Sequence, residues 1–173
     1  IKASVDSKKL PSIYLIHGNL TEEELNSLYN HPKIKAMLSF THGEGFGRPL
    51  LEFGVTGKPV IAPNWSGHVD FLSENGILLP GELKQVHPSV VWENVILKES
   101  AWFYVDYGYA SGLLKDMEKN YKNYLTKSRK QTQYIKENFT LDQMTSIFEK
   151  QLDNHIPSFD LELPKLEEMQ TYE

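Results

Sequence analysis

The 173-residue sequence contains no cysteine. Disulfide bridges and thiolate zinc sites are therefore excluded, and a metal site would need His, Asp or Glu ligands. The six histidines are dispersed, and no pair has the spacing of two ligands on one helical face. We accordingly predict no metal and no other cofactor. A cysteine-free chain is compatible with the reducing cytosol, so we expect a cytoplasmic protein. Peripheral attachment of the full-length protein to a membrane stays open.

Long apolar runs and an excess of positive charge are also missing. No apolar segment approaches the roughly 20 residues of a membrane-spanning helix, so no transmembrane segment is expected. A formal net charge of -5 offers no general attraction to phosphate backbones, which argues against nucleic acid as a partner. The chain begins at Ile1 with neither an initiator methionine nor a signal-peptide pattern, so we expect it to be a fragment.

In the first half of the chain, short apolar runs alternate with helical patterns. Strands are predicted over 13–17, 34–40, 58–63 and 76–80. Each of the first three strands is followed by a turn and a helix. The first of these helices begins with the capping box Thr21 to Glu24. This alternation predicts an α/β fold in which a parallel sheet is covered by helices on both faces.

The second half is predicted to be mainly helical. Periodicity is poor over 80–106, where we expect long loops with room for one edge strand. A long helix is predicted over 110–139, with a core-facing stripe at Leu114, Met117, Tyr121, Tyr124 and Ile135. A last helix is predicted from Thr140 through Leu152. The residues after it are acidic and irregular, so we predict a domain of 1–153 and a tail of 154–173.

Three glycines, Gly43, Gly45 and Gly47, follow the second predicted strand and precede Pro49, which suits the first turn of a helix. Glycine allows positive φ and close approach to a ligand, and the start of a helix favours an anion such as a diphosphate. The segment has neither the G-x-G-x-x-G pattern nor the G-K-[ST] of a P-loop, so neither a nicotinamide cofactor nor ATP hydrolysis is favoured.

Two carboxylates accompany this anion site, Glu44 within the turn and Glu52 in the following helix. Because carboxylates repel phosphate, their presence favours a ligand that also offers hydroxyl groups, such as a sugar or a ribose. The alternative is that Glu44 pairs with Arg48 and that Glu52 is a solvated helix residue. The residues alone leave both interpretations open.

The run 43–54, followed by 56–62 and 66–68, resembles the C-terminal nucleotide-sugar-binding domain of the family 4 retaining glycosyltransferases. The signature of that family is E-G-F-G-x-x-x-x-E followed by G-x-P-V-I. The resemblance covers residues 12–80 closely and the helical remainder loosely. It implies the C-terminal half of a GT-B fold, with a Rossmann-like sheet, long C-terminal helices, and an N-terminal acceptor domain outside this chain.

By this resemblance, Glu44 is the catalytic candidate that contacts the donor sugar, and Glu52 holds the ribose. The donor sugar and phosphate are implied to contact Gly45, Phe46, Gly47, Arg48, Leu50 and Leu51, largely through main-chain amides. The nucleobase is implied to lie near the turn Gly18, Asn19 and Leu20. The donor would be a UDP-, GDP- or ADP-sugar whose sugar passes to an acceptor hydroxyl with retained configuration. The chain alone should be inactive.

Two alternatives to a glycosyltransferase stay open. The first is a non-catalytic module that keeps the fold as a scaffold for a partner. The second is a sugar-nucleotide epimerase or a phosphorylase of similar two-domain build.

Four residues near the turn carry open interpretations. Arg48 stands where the family usually has a small apolar residue, and either contacts phosphate or is a surface charge. His42 either reaches the phosphate when protonated or is an exposed turn residue. His68 either lies near the donor or has a capping or packing role. Trp65 is either a platform for sugar stacking or, as we expect, a core residue.

Overall fold

The computed structural model describes residues 11–72 and 75–157. The chain divides between Lys35 and Ala36 into two compact units, which are described separately. The first unit contains helix α1 (Glu22–Asn30). The elements of the second unit are β1 (Met37–Leu38), α2 (Arg48–Gly54), β2 (Val60–Pro63), α3 (Val69–Leu72), β3 (Ile77–Leu79), β4 (Gly81–Gln85), β5 (Ala101–Val105), α4 (Tyr107–Asn138) and α5 (Leu141–His155).

Helix α1 begins at the predicted capping box. The Glu24 amide donates to Thr21 Oγ1 at 3.2 Å, and the Thr21 amide donates to Glu24 Oε2 at 2.9 Å. The strand predicted over 13–17 is wrong, because these residues are exposed and have no regular secondary structure, and no strand within the described residues pairs with them. A short apolar run becomes a strand only where a neighbouring strand is available, and the described part of this unit contains none.

Three parallel strands form the sheet of the second unit, in the order β1-β2-β3. All four residues of β2 are buried, as expected for the central strand of a sheet covered on both faces. β1 is far shorter than predicted, although the Ser39 amide still donates to the Ile61 carbonyl at 2.9 Å beyond its end. The prediction of a mixed α/β fold with a parallel sheet and long C-terminal helices is therefore confirmed.

Helix α4 is hydrogen-bonded to the two short helices α2 and α3. Thr132 Oγ1 donates to the Gly54 carbonyl at the end of α2 at 2.7 Å, and Gln131 Nε2 donates to the Phe71 carbonyl in α3. The predicted helix over 110–139 is confirmed, with one non-helical residue at Asn120.

The predicted core stripe of α4 needs one correction. Met117 and Ile135 are buried, but Leu114 is exposed, and its neighbour Leu113 packs against the core instead. From Ala110, the stripe therefore advances by three and then four residues, to Leu113 and Met117, which is the ordinary spacing of one helical face. Leu114 lies just outside that face.

The segment 80–106 differs most from the prediction. Instead of long loops with one edge strand, β4 and β5 form an antiparallel hairpin that pairs Gly81 with Val105 and Gln85 with Ala101. Every β4 residue is exposed, so this strand has no buried face to produce an alternating pattern. In β5, Phe103 and Val105 are buried in the cluster that also contains sheet residues and the start of α4.

Helix α5 starts at the predicted cap, where the Gln143 amide donates to Thr140 Oγ1 at 3.3 Å. It continues to His155, so the first residues of the predicted irregular tail are helical. Residues 158–173 of that tail lie outside the described residues, and the domain boundary at 153 stays a prediction. None of the helices within the described ranges has the length and apolar composition of a membrane span.

Candidate functional site

Two loops meet at the carboxyl edge of the parallel sheet. The glycine turn, residues 43–47, leads from β1 into α2, and the β2 loop, residues 64–68, leads from β2 into α3. Because β1 and β2 are parallel neighbours, both loops leave the sheet on the same edge. In open α/β sheets, ligands bind in the crevice outside this edge.

Gly47 sets the geometry of the glycine turn. Its φ of 85° is left-handed, and its carbonyl accepts hydrogen bonds from the amides of Leu50 at 2.9 Å and Leu51 at 3.2 Å. A Cβ at this position would lie 3.0 Å from the His68 Cβ. Both the backbone angle and the close approach therefore require glycine. Gly45 differs, because a Cβ there would meet nothing within 4 Å, so the space above it is open.

The β2 loop fixes the backbone of Glu44 with three hydrogen bonds. Ser66 Oγ accepts from the Glu44 amide at 3.1 Å and donates to the Glu44 carbonyl at 2.6 Å. The Gly67 amide donates to the same carbonyl at 3.0 Å. A Cβ on Gly67 would lie only 2.0 Å from the Gly45 carbonyl oxygen, so the two loops touch backbone to backbone.

The structural role of Ser66 and Gly67 was missed at the sequence level. Both residues belong to the run that carries the family resemblance, but nothing in their spacing indicates that they bind the backbone of a loop about 20 residues earlier. The one available signal was the small size of two successive residues in the loop after a strand, which is compatible with close backbone approach.

Four consecutive amides of the site have no hydrogen-bond partner among the described residues. Within the described ranges, the structure records no hydrogen bond for the main-chain N–H groups of Gly45, Phe46, Gly47 and Arg48. The predicted contacts through the amides of Leu50 and Leu51 need correction, because both donate to the Gly47 carbonyl. Of the six residues expected to contact the donor, Gly45, Phe46, Gly47 and Arg48 therefore keep amides with no partner among the described residues, whereas Leu50 and Leu51 do not.

The two carboxylates have different surroundings. Glu44 is half-buried, and no hydrogen bond or ion pair is recorded for its carboxylate among the described residues. Glu52 Oε1 lies 2.8 Å from Arg48 Nε, and the two side chains are 37% and 79% exposed. The suggested Glu44–Arg48 pair is therefore not formed. Arg48 is a surface charge paired one helical turn along α2, an arrangement that contributes only about 0.3–0.5 kcal/mol.

The two histidines next to these loops have packing roles. His42 Nδ1 donates to the Phe103 carbonyl at 2.8 Å, the Phe103 amide donates back to the His42 carbonyl at 3.3 Å, and the His42 ring stacks on Trp102 at 4.6 Å. His42 therefore docks the hairpin and is not an exposed turn residue, whereas its contact with phosphate stays a prediction.

His68 is fully buried, and its Nε2 donates to the Pro63 carbonyl at 2.6 Å. Its Nδ1 has no hydrogen-bond partner among the described residues. The packing interpretation of His68 is the one that fits this burial.

Two aromatic side chains flank the glycine turn. Phe46 lies 5.4 Å from the buried Phe71 ring but remains partly exposed. Trp65 is 42% exposed and stacks on Phe103, with ring centroids 6.1 Å apart and planes within 7°. The expectation that Trp65 is a core residue is therefore wrong.

The residues suggested for the nucleobase, Gly18, Asn19 and Leu20, belong to the first unit and are exposed. Gly18 has a φ of 134°, and Leu20 lines a cavity of about 270 Å³ together with Ile16, Leu28 and His31. Their role with a nucleobase stays a prediction. Within the described residues, no group of three or more His, Asp or Glu side chains is arranged to hold a metal ion.

Comparison with known proteins gives no family assignment. No family model matches the chain, and no curated protein matches it either. Function must therefore be argued from the geometry of the glycine turn and from the resemblance of its sequence.

Proposed function

We propose that the chain is the donor-binding domain of a retaining glycosyltransferase of the GT-B type, with a Rossmann-like sheet. In this proposal the glycine turn binds the diphosphate and sugar of a nucleotide-diphosphate sugar. The observation that supports it most is the row of four amides, from Gly45 to Arg48, that have no partner within residues 11–72 and 75–157 and lie at the carboxyl edge of a parallel sheet.

Successive main-chain N–H groups in a glycine-containing turn form a concave surface that suits an anion. A hydrogen bond to a charged acceptor contributes about 1.5–3 kcal/mol, so a few such bonds are enough for useful affinity. The three hydrogen bonds from the β2 loop to Glu44 hold the turn in shape before a ligand arrives. Little entropy is then lost on binding.

The carboxylates explain why the ligand should carry hydroxyl groups as well as phosphates. The Glu44 carboxylate, which has no recorded partner in the described chain, can accept hydrogen bonds from the sugar hydroxyls. Glu52 uses one oxygen for Arg48, and its second oxygen can accept from the ribose, as the resemblance implies.

The proposed reaction needs no protein nucleophile. The acceptor hydroxyl attacks the anomeric carbon on the face from which the phosphate departs, so a C–O bond to the acceptor forms as the C–O bond to phosphate breaks. The acceptor proton passes to the departing phosphate, whose growing negative charge the free amides stabilise. The resemblance implies that a facing domain supplies the acceptor.

Gly45→Ala tests the turn without disturbing the fold. Since a Cβ at this position meets no atom within 4 Å, the variant should fold like the wild type, but its methyl group would occupy the space above the amides. We expect titration calorimetry with UDP, GDP, ADP and their sugars to show binding of at least one by the wild type, weakened about tenfold or more by the variant.

Gly112→Ala is the matched control, because it adds the same methyl group to open space on the exposed side of α4. It should leave the affinity unchanged. A folded wild-type chain that binds none of these nucleotides would contradict the proposal and favour the scaffold alternative.

Glu52→Gln separates the ribose from the diphosphate. This variant should weaken binding of the nucleotide without weakening binding of inorganic pyrophosphate, because the lost carboxylate repels phosphate. Glu118→Gln, on the exposed side of α4, should change neither affinity. An equal loss for both ligands would contradict the ribose role. On the complete protein, product analysis that found inverted anomeric configuration would contradict the retaining reaction.

A further inference from the structure

Trp65 presents a large, partly exposed ring beside the glycine turn. The indole stacks on Phe103, which is only 7% exposed and belongs to the core cluster. The two ring planes lie within 7° of each other, and Trp65 is 42% exposed. Trp65 therefore contacts the core through Phe103.

The position of this ring relative to the turn is fixed by backbone contacts. A Cβ on Gly43 would lie 3.8 Å from Trp65 Nε1, so the absence of a side chain at Gly43 leaves the edge of the indole uncovered. The next residue, Ser66, has a φ of 80° and binds the Glu44 backbone. Such an angle is unfavourable for a residue other than glycine, and strained backbone of this kind is concentrated at ligand sites.

The groups of the site then follow one another along the turn. Trp65 Nε1 lies near Gly43, Glu44 is the next residue along the turn, and the amides with no recorded partner among the described residues begin at Gly45. If a diphosphate occupies the amides and Glu44 accepts hydroxyls, the sugar lies on the side of the turn that faces Trp65. A pyranose ring has an apolar C–H face as well as a hydroxyl rim, and aromatic rings bind such faces by close packing.

We propose that Trp65 forms a stacking subsite for the pyranose ring whose hydroxyls Glu44 accepts. This inference rests on the proposed function, since the diphosphate on the amides is what brings the sugar to the tryptophan. It selects a substrate class: hexopyranoses that present an uninterrupted C–H face to the indole.

The test compares a sugar nucleotide with the same nucleotide lacking the sugar, for the wild-type chain, Trp65→Ala and Trp65→Phe. Trp65→Ala should weaken binding of the sugar nucleotide about 5- to 10-fold and leave the affinity for the nucleoside diphosphate unchanged. Trp65→Phe, which keeps a ring, should recover part of the loss. Circular dichroism establishes whether each variant is folded. If Trp65→Ala is not folded, the affinities of Trp65→Phe are compared with those of the wild type instead.

Trp92→Ala is the matched control, because Trp92 is 66% exposed and lies in the segment that connects β4 and β5. It should change neither affinity. In NMR spectra, the indole N–H signal of Trp65, assigned by its loss in the variant, should shift with the sugar nucleotide more than with the nucleotide alone.

The outcomes separate the two proposals. If the nucleotide binds but Trp65→Ala weakens both ligands equally or neither, the stacking subsite is overturned and the proposed function stands. If no nucleotide binds, the proposed function is contradicted, and methyl glycosides test the stacking subsite by itself. A Trp65 shift with them supports a sugar subsite at this ring, and no shift overturns the stacking subsite as well.

Discussion

The contact between Gly67 and the Gly45 carbonyl gives the most direct test of how the two loops of the site are joined. In Gly67→Ala, the new Cβ would lie 2.0 Å from the Gly45 oxygen and 2.7 Å from its carbon. Both atoms are backbone, so no side-chain rotation relieves the overlap. The β2 loop must move away from the glycine turn.

The cost of that movement has two parts. Forced repacking typically costs about 1–3 kcal/mol. Up to three hydrogen bonds from Ser66 and Gly67 to Glu44 are weakened or lost, at about 0.5–1.5 kcal/mol each. Because the loops are only half-buried, hydrogen bonds to water recover part of this loss. We expect the free energy of unfolding to fall by about 2–4 kcal/mol.

Urea unfolding followed by circular dichroism measures this change as a lower midpoint at unchanged slope. Gly112→Ala is again the control, and it should stabilise the chain by up to about 1 kcal/mol, because alanine favours a helix more than glycine does. A Gly67→Ala variant as stable as the wild type would refute the close backbone approach, and with it the fixed shape of the turn.

Three further predictions concern the surrounding structure. Phe71→Ala removes a fully buried ring and should destabilise the chain by about 3–5 kcal/mol in urea unfolding, whereas Leu83→Ala on exposed β4 should change stability by less than about 1 kcal/mol. Thr21→Ala removes the cap of α1 and should cost about 1 kcal/mol, read from faster hydrogen exchange of the α1 amides; unchanged exchange would contradict the capping box. The hydrogen bond from the Tyr124 hydroxyl to Asp116 at 2.6 Å, assisted by burial, raises the pKa of Tyr124 to about 12. Since the folded pKa is raised, the hydrogen bond stabilises the folded chain fully below the unfolded pKa near 10, and this stabilisation is lost as the pH rises toward 12. A difference titration of tyrosinate absorbance between the wild type and Tyr124→Phe measures the pKa of Tyr124. A normal pKa for Tyr124 would contradict the hydrogen bond.

Features with a local cause were predictable from the sequence. The capping box at Thr21 and the cap at Thr140 depend on residues within one helical turn, and both were found where expected. β2 was recognised because a buried central strand is apolar throughout. Gly47 was identified as part of a strand-to-helix turn because that turn requires glycine next to a helix start.

Features with a distant cause were not predictable in the same way. β4 is exposed along its whole length, so only its partner β5 makes it a strand. The roles of Ser66 and His42 depend on Glu44 and Phe103, which are 22 and 61 residues away along the chain. Sequence reasoning therefore found the glycine turn but not the residues that hold it.

The bond between His42 and Phe103 has a consequence for how the site forms during synthesis. A ribosome delivers the glycine turn and the β2 loop well before β5, because the two bonded residues are separated by 61 positions. Contacts of such sequence separation form late in folding. A nascent chain that ends before β5 would therefore leave His42 without the Phe103 carbonyl that it binds, although the hydrogen bonds from the β2 loop to Glu44 can already form.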